Sequence, residues 1–151
     1  MLHRVISGGQ TGADRAALDV AIEMGIRHGG WIPKGRKTEK GRLPSRYGLK
    51  EIDSIDYAQR TELNVVDSDA TLLFSHGTLR GGSALTKALA NKHRKPCLHI
   101  DLDEMGDDKA VEIIDLWLQA REVRVLNVAG PRASEDPRIY DDVKKILRSL
   151  F

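Results

Sequence analysis

The chain has 151 residues, 40% hydrophobic and 30% charged, with 24 Lys and Arg against 22 Asp and Glu for a formal net charge of +2. That length suits one domain able to bury a core without staples, and the lone cysteine, Cys97, excludes an internal disulfide. Aromatic residues make up only 5% of the chain, no apolar run approaches the roughly 18 residues of a membrane span, and the N-terminus carries no leader pattern. Neither nucleic acid nor a membrane is therefore expected as a partner, and the cytoplasm is the expected compartment.

An apolar strand through Val5 and Ile6 runs into the turn Ser7-Gly8-Gly9-Gln10-Thr11-Gly12. Ala13, Ala16, Ala17, Val20, Ala21 and Met24 then recur at helical spacing, with Thr11 and Asp14 in capping-box relation at the start and Gly25 as the stop. A second strand is expected near His28 to Ile32. From Lys34 to Lys50 seven basic residues stand against Glu39 alone, interspersed with Gly35, Gly41, Pro44 and Gly48 and without an apolar period. Such a long loop in a compact domain is expected to be functional or disordered. A helix over Tyr57 to Asp67 and a strand over Ala70 to Phe74 follow.

The turn Ser75 to Ser83 leads into a short helix through Ala84, Leu85, Ala88 and Leu89. A strand over Pro96 to Ile100 comes next, in which Cys97 is expected as a buried structural thiol. Ala110, Ile113, Ile114, Trp117 and Leu118 mark an amphipathic helix, and the acidic run from Asp101 to Asp115 reads as its solvated face. Val123 to Ala129 is the fifth strand. The last helix is expected to take Asp136 as N-cap and Pro137 at its first position, with Ile139, Val143, Ile146, Leu147 and Leu150 as the buried stripe.

Strands alternating with helices at this spacing predict an α/β fold: a single Rossmann-like, three-layer domain with a mainly parallel sheet of about five strands. In such sheets ligands bind outside the carboxyl ends of the strands, where the strand order reverses. All three glycine-bearing turns lie at strand carboxyl ends. Each sends a strand through a flexible turn into a helix, which leaves backbone N–H groups free to hold an anion.

The first turn is neither a G-x-G-x-x-G fingerprint nor a Walker A loop, so a dehydrogenase or P-loop NTPase is disfavoured. Gly8, Gly9 and Gly12 allow close backbone approach, while Gln10 and the Thr11 hydroxyl offer polar groups. In the second turn Gly77, Thr78, Gly81, Gly82 and Ser83 repeat that chemistry. In the third, Gly130, Pro131, Arg132 and Ser134 set a guanidinium beside a helix start, and Arg132 is the clearest candidate for a charge-assisted contact to phosphate. Arg60 and Asn64 share a helix face at i,i+4 spacing, and Asn64 is expected to reach the same crevice. The five histidines form no ligand grouping, so no protein-built metal centre and no catalytic residue is assigned.

The run Ser7 to Asp19, with Arg60-Thr61-Glu62-Leu63-Asn64-Val65, Ser68 to Leu72 and Leu126 to Arg132, resembles the molybdenum carrier family across nearly the whole chain. That family is similar to molybdenum cofactor carrier proteins, within a Rossmann group that includes lysine-decarboxylase-like phosphoribohydrolases. The resemblance implies a homo-oligomeric carrier that holds the molybdenum cofactor, a pterin with a terminal phosphate, and hands it to an acceptor molybdoenzyme. It carries over Gly8, Gly9, Thr11, Gly12, Gly81, Gly82, Ser83, Gly130 and Arg132 as contacts, with the metal arriving as part of the small anionic ligand.

Two other functions share such a cradle. One is a phosphoribohydrolase cleaving the N-glycosidic bond of a nucleoside monophosphate; relatives of that type resemble Pro-Gly-Gly-x-Gly-Thr-x-x-Glu. The helix after Gly81-Gly82-Ser83 lacks the glutamate, and only Asp14 is placed to substitute. The other is a sensor of nucleotide-derived ligands. The missing acid favours holding a ligand over cleaving it.

Overall fold

The computed structural model describes residues 1–151. Its central sheet is five-stranded and wholly parallel, in the order β2-β1-β9-β7-β8, formed by β1 (Arg4–Ile6), β2 (Arg27–Gly29), β7 (Ala70–Ser75), β8 (Cys97–Asp101) and β9 (Val125–Ala129). Its helices are α1 (Ala13–Glu23), α2 (Tyr57–Asp67), α3 (Gly81–Lys92), α4 (Asp107–Ala120) and α5 (Ile139–Leu150). This is the expected three-layer α/β arrangement: α1, α4 and α5 pack together, and α2 packs with α3.

Handedness explains the division. The crossover from β1 through α1 to β2 and that from β7 through α3 to β8 run outward to opposite edges, so right-handed connections put α1 and α3 on opposite faces. Strand alternation then gives the faces different chemistry. Val5, Leu72, Phe74, Leu126 and Val128 join the alanines of α1 and the apolar stripes of α4 and α5 in one 19-residue cluster. The buried polar residues Thr71, Ser75 and Asn127 alternate with them on the strands, and Asn127 Nδ2 donates to Thr71 Oγ1 at 3.2 Å. The layer beneath α2 and α3 accordingly mixes these polar groups with Ile6, Val65 and Leu73.

Several local expectations change. The strand expected over His28 to Ile32 breaks at Gly30, whose φ of +128° turns the chain and whose missing Cβ makes room for the Ser7 backbone. Beyond it β3 (Trp31–Ile32) pairs with β6 (Lys50–Glu51) in a separate two-stranded sheet. The capping box does not form: Gly12 is the N-cap of α1 and no side chain caps it. The last helix begins at Ile139 instead of Pro137, because Asp136 turns the chain by accepting the Arg138 N–H on Oδ1 and the Ile139 N–H on its carbonyl. Cys97 is half-buried, and burial pushes its thiol pKa up.

The basic segment is folded. β4 (Lys37–Thr38) and β5 (Gly41–Arg42) make an antiparallel hairpin, and Leu43, Tyr47 and Leu49 join Leu18 and Ile32 in a second apolar cluster. Arg36 organises it from within, donating to the carbonyls of Leu43, Leu49, Pro44 and Tyr47 at 2.7 to 3.3 Å. A guanidinium with five donors serves a curled backbone that has no ladder partners of its own.

Candidate functional site

The three glycine junctions converge at the carboxyl ends of β1, β7 and β9 on one hollow of about 110 Å³. Gly8, Gln10 and Asp14 come from the first junction. Arg80, Gly82, Ser83, Leu85 and Thr86 come from the second, and Asn127, Ala129, Gly130, Pro131, Arg132 and Glu135 from the third. Helix α2 closes the hollow with Tyr57, Arg60, Thr61 and Asn64. A second hollow of about 360 Å³ shares Arg80, Ser83, Pro131 and Glu135 with the first and continues past Thr78 to His76 and Arg138.

The sequence-predicted residues divide. Gly8, Gln10, Asn64, Gly82, Ser83, Gly130, Pro131 and Arg132 line the main hollow, and Thr78 lines the adjoining one. Gly9, Thr11, Gly12, Gly77, Gly81 and Ser134 line neither. Gly12 has φ +80°, and a Cβ there would meet the Pro131 carbonyl and come within 2.9 Å of the Ala133 nitrogen, so it lets the first and third junctions touch. Gly9 packs against Leu49, Leu43 and Ile32 of the second cluster. Gly77 donates its N–H to Asp101 Oδ1 at 2.8 Å, which ties the second junction to the end of β8. Asn64 borders the hollow but is engaged by the Trp31 backbone, accepting from its N–H at 2.8 Å and donating to its carbonyl at 3.1 Å.

Charge in the hollow centres on Arg60 and Asp14, neither of which was predicted as a ligand contact. Arg60 is 7% exposed, lies 5.5 Å from the Tyr57 ring centre and has one protein acceptor, the Gly8 carbonyl at 2.5 Å from Nη1. Burial lowers its pKa, with Asp14 working in the other direction. A largely buried guanidinium so sparsely bonded has N–H groups to offer an anion. Its i,i+4 relation to Asn64 is the signal that pointed to this face. Asp14 is equally buried and accepts the Gln10 N–H on Oδ2 at 3.2 Å. Burial drives its carboxyl up from the ordinary 3.8 to about 6, against the pull of Arg60, the Gln10 N–H, Arg15 and Arg132. Arg132 is half-exposed and pairs with Glu135 at 3.2 Å. Glu135 carries no distinguishing pattern in the sequence, whereas Arg80 lies in the second glycine turn and Asn127 in the run from Leu126 to Arg132 without standing out in either.

Residues 5–151 match the Circularly permutated YpsA SLOG family. The chain belongs to this family. A solved structure from Syntrophus aciditrophicus SB, described as a "Putative molybdenum carrier protein", is 53% identical, with a TM-score of 0.98 over 99% of this chain and 95% of that one. A likeness to (E)-4-hydroxy-3-methyl-but-2-enyl diphosphate reductase reaches only 12% identity and a TM-score of 0.43 over 98% of this chain and 59% of that one. No curated protein matches the chain. Within this SLOG chain no group of three or more His, Cys, Asp or Glu side chains is arranged to hold a metal ion, and no helix is long and apolar enough to cross a membrane.

Proposed function

We propose that the protein is a carrier for a phosphorylated pterin, the molybdenum cofactor, whose phosphate sits in the main hollow against Arg60 and Arg132. The observation that carries this reading is Arg60: a guanidinium 7% exposed, bonded within the protein only to the Gly8 carbonyl, at the meeting point of three glycine junctions. Such a group is stabilised when an anion supplies the missing acceptors. A hollow of about 110 Å³ suits the phosphate, and the pterin then extends into the adjoining 360 Å³ beside Arg80. The 53% identical relative supports the choice of cargo. Self-association and hand-over to an acceptor enzyme belong to the same reading.

The test is native mass spectrometry of freshly purified protein, with metal analysis and oxidation of any released pterin. A bound pterin phosphate with molybdenum is expected. Saturable nucleotide binding without any pterin affinity would contradict the reading.

Asp14 favours one alternative, the phosphoribohydrolase. A carboxyl that titrates near 6 beside a buried guanidinium is poised as a general acid for a departing base. Ribose 5-phosphate release from a nucleoside monophosphate, lost in Asp14→Asn, would establish that activity. Its absence would leave the carrier.

A further inference from the structure

Glu39 is the one acid in the basic segment from Lys34 to Lys50, and it sits between the two strands of the hairpin. Lys37, Lys40 and Arg42 are exposed, whereas Glu39 reaches across to the first and third glycine junctions. Its Oε1 accepts from the Thr11 hydroxyl and from the Ser134 N–H at 3.2 Å, and its Oε2 accepts from the Ser134 hydroxyl. The Glu39 N–H donates to Gln10 Oε1 at 3.2 Å, and Thr11 Oγ1 also accepts the Ala133 N–H at 3.1 Å. Burial works against the charged carboxylate, but the bonds from Ser134 and Thr11, with Arg132 nearby, hold its pKa below the ordinary range.

Two hydroxyls, a backbone N–H and a neighbouring guanidinium form a donor set suited to any oxyanion, and a carboxylate fills it here. Arg132 belongs to this set and also lines the main hollow, as does Gln10, the acceptor of the Glu39 N–H, so the two sites are contiguous.

We propose that Thr11, Ser134 and Arg132 form a second oxyanion site, suited to a phosphate-type group, and that Glu39 is its built-in occupant. An arriving anion displaces the carboxylate and frees the hairpin from the junctions. This rests on the reading of the protein as a binder of phosphorylated ligands. The three exposed cations of the hairpin are then released together with the one acid that tethered them. Ligand affinity is reduced by the fraction of time the hairpin is closed, a cost that removal of Glu39 abolishes.

The test titrates inorganic phosphate into the wild-type protein, Glu39→Ala and Glu39→Gln, following amide exchange from Thr38 to Gly41. Saturating phosphate is expected to speed exchange there in the wild type. Glu39→Ala is expected to exchange fast without phosphate and to bind phosphate about tenfold more tightly, with Glu39→Gln between the two. Unchanged or weaker phosphate affinity in Glu39→Ala, with sheet amides still protected, would overturn the proposal, as would a wild-type hairpin indifferent to phosphate. If phosphate frees the hairpin and no pterin phosphate binds, the carrier reading fails and this one stands.

Discussion

Replacing Asp14 by Asn separates the cost of the site from the stability of the fold. Burial raises the Asp14 carboxyl from 3.8 to about 6, so the folded protein binds that proton more tightly than the unfolded chain does. The Asp14 contribution to stability therefore falls as pH rises from about 4 to about 6, and its full cost stands above that window. At about 1.4 kcal/mol per pH unit the gap amounts to about 3 kcal/mol, a large fraction of the roughly 5 to 15 kcal/mol that holds a domain together. Asparagine is nearly isosteric and still accepts the Gln10 N–H, but it carries no charge to bury. Asp14→Asn is expected to match the wild type near pH 4 and to exceed it by about 2 to 3 kcal/mol at pH 8. Urea unfolding at the two pH values measures the difference. An Asn variant no more stable at pH 8, or a difference that does not change with pH, would show that burying the Asp14 charge costs the fold nothing.

His76 is buried between Asp136 on Nδ1 at 2.5 Å and Asp142 on Nε2 at 2.8 Å. Burial opposes its protonation, but the two carboxylates prevail and raise its pKa above 6.5. Its contribution to stability is thus complete below about 6.5 and lost as pH rises through the raised value; NMR titration should find it charged at pH 6.5, and a midpoint below that would contradict the assignment. Arg36→Met leaves the carbonyls of Leu43 and Leu49 without a donor and those of Pro44 and Tyr47 with only a backbone N–H, a loss of about 2 to 4 kcal/mol. It is expected to accelerate amide exchange across 36–49 while the central sheet stays protected, and exchange that rises equally in both would show that Arg36 does not act locally.

The three junctions were legible because strand, glycine and helix follow one another within a dozen residues, and the parallel sheet followed from their alternation. Their convergence on one hollow needed only the rule that ligands sit at the carboxyl ends of strands. The division of labour within them was not local. Thr11 and Asp14 have the spacing of a capping box, but long-range contacts claim Thr11, which bonds to Glu39 and Ala133, while Asp14 reaches back only to the Gln10 N–H of its own turn. Asn64 is held by Trp31, 33 positions away. The basic segment showed no period because its order comes from Arg36, a charged residue acting as the centre of a small core. A lone acid among seven cations gave no hint that it would reach the glycine junctions.

On the reading proposed above, the hollow under Arg60 holds the phosphate of the ligand. Calorimetric titration with a pterin phosphate and with its dephosphorylated form tests it directly, in the wild type and in Arg60→Gln. Two charge-assisted contacts at about 1.5 kcal/mol or more each predict at least about a hundredfold weaker binding without the phosphate. That difference should shrink to about tenfold in Arg60→Gln. Equal affinity for the two pterins in the wild type, or a phosphate preference untouched by Arg60→Gln, would contradict the account.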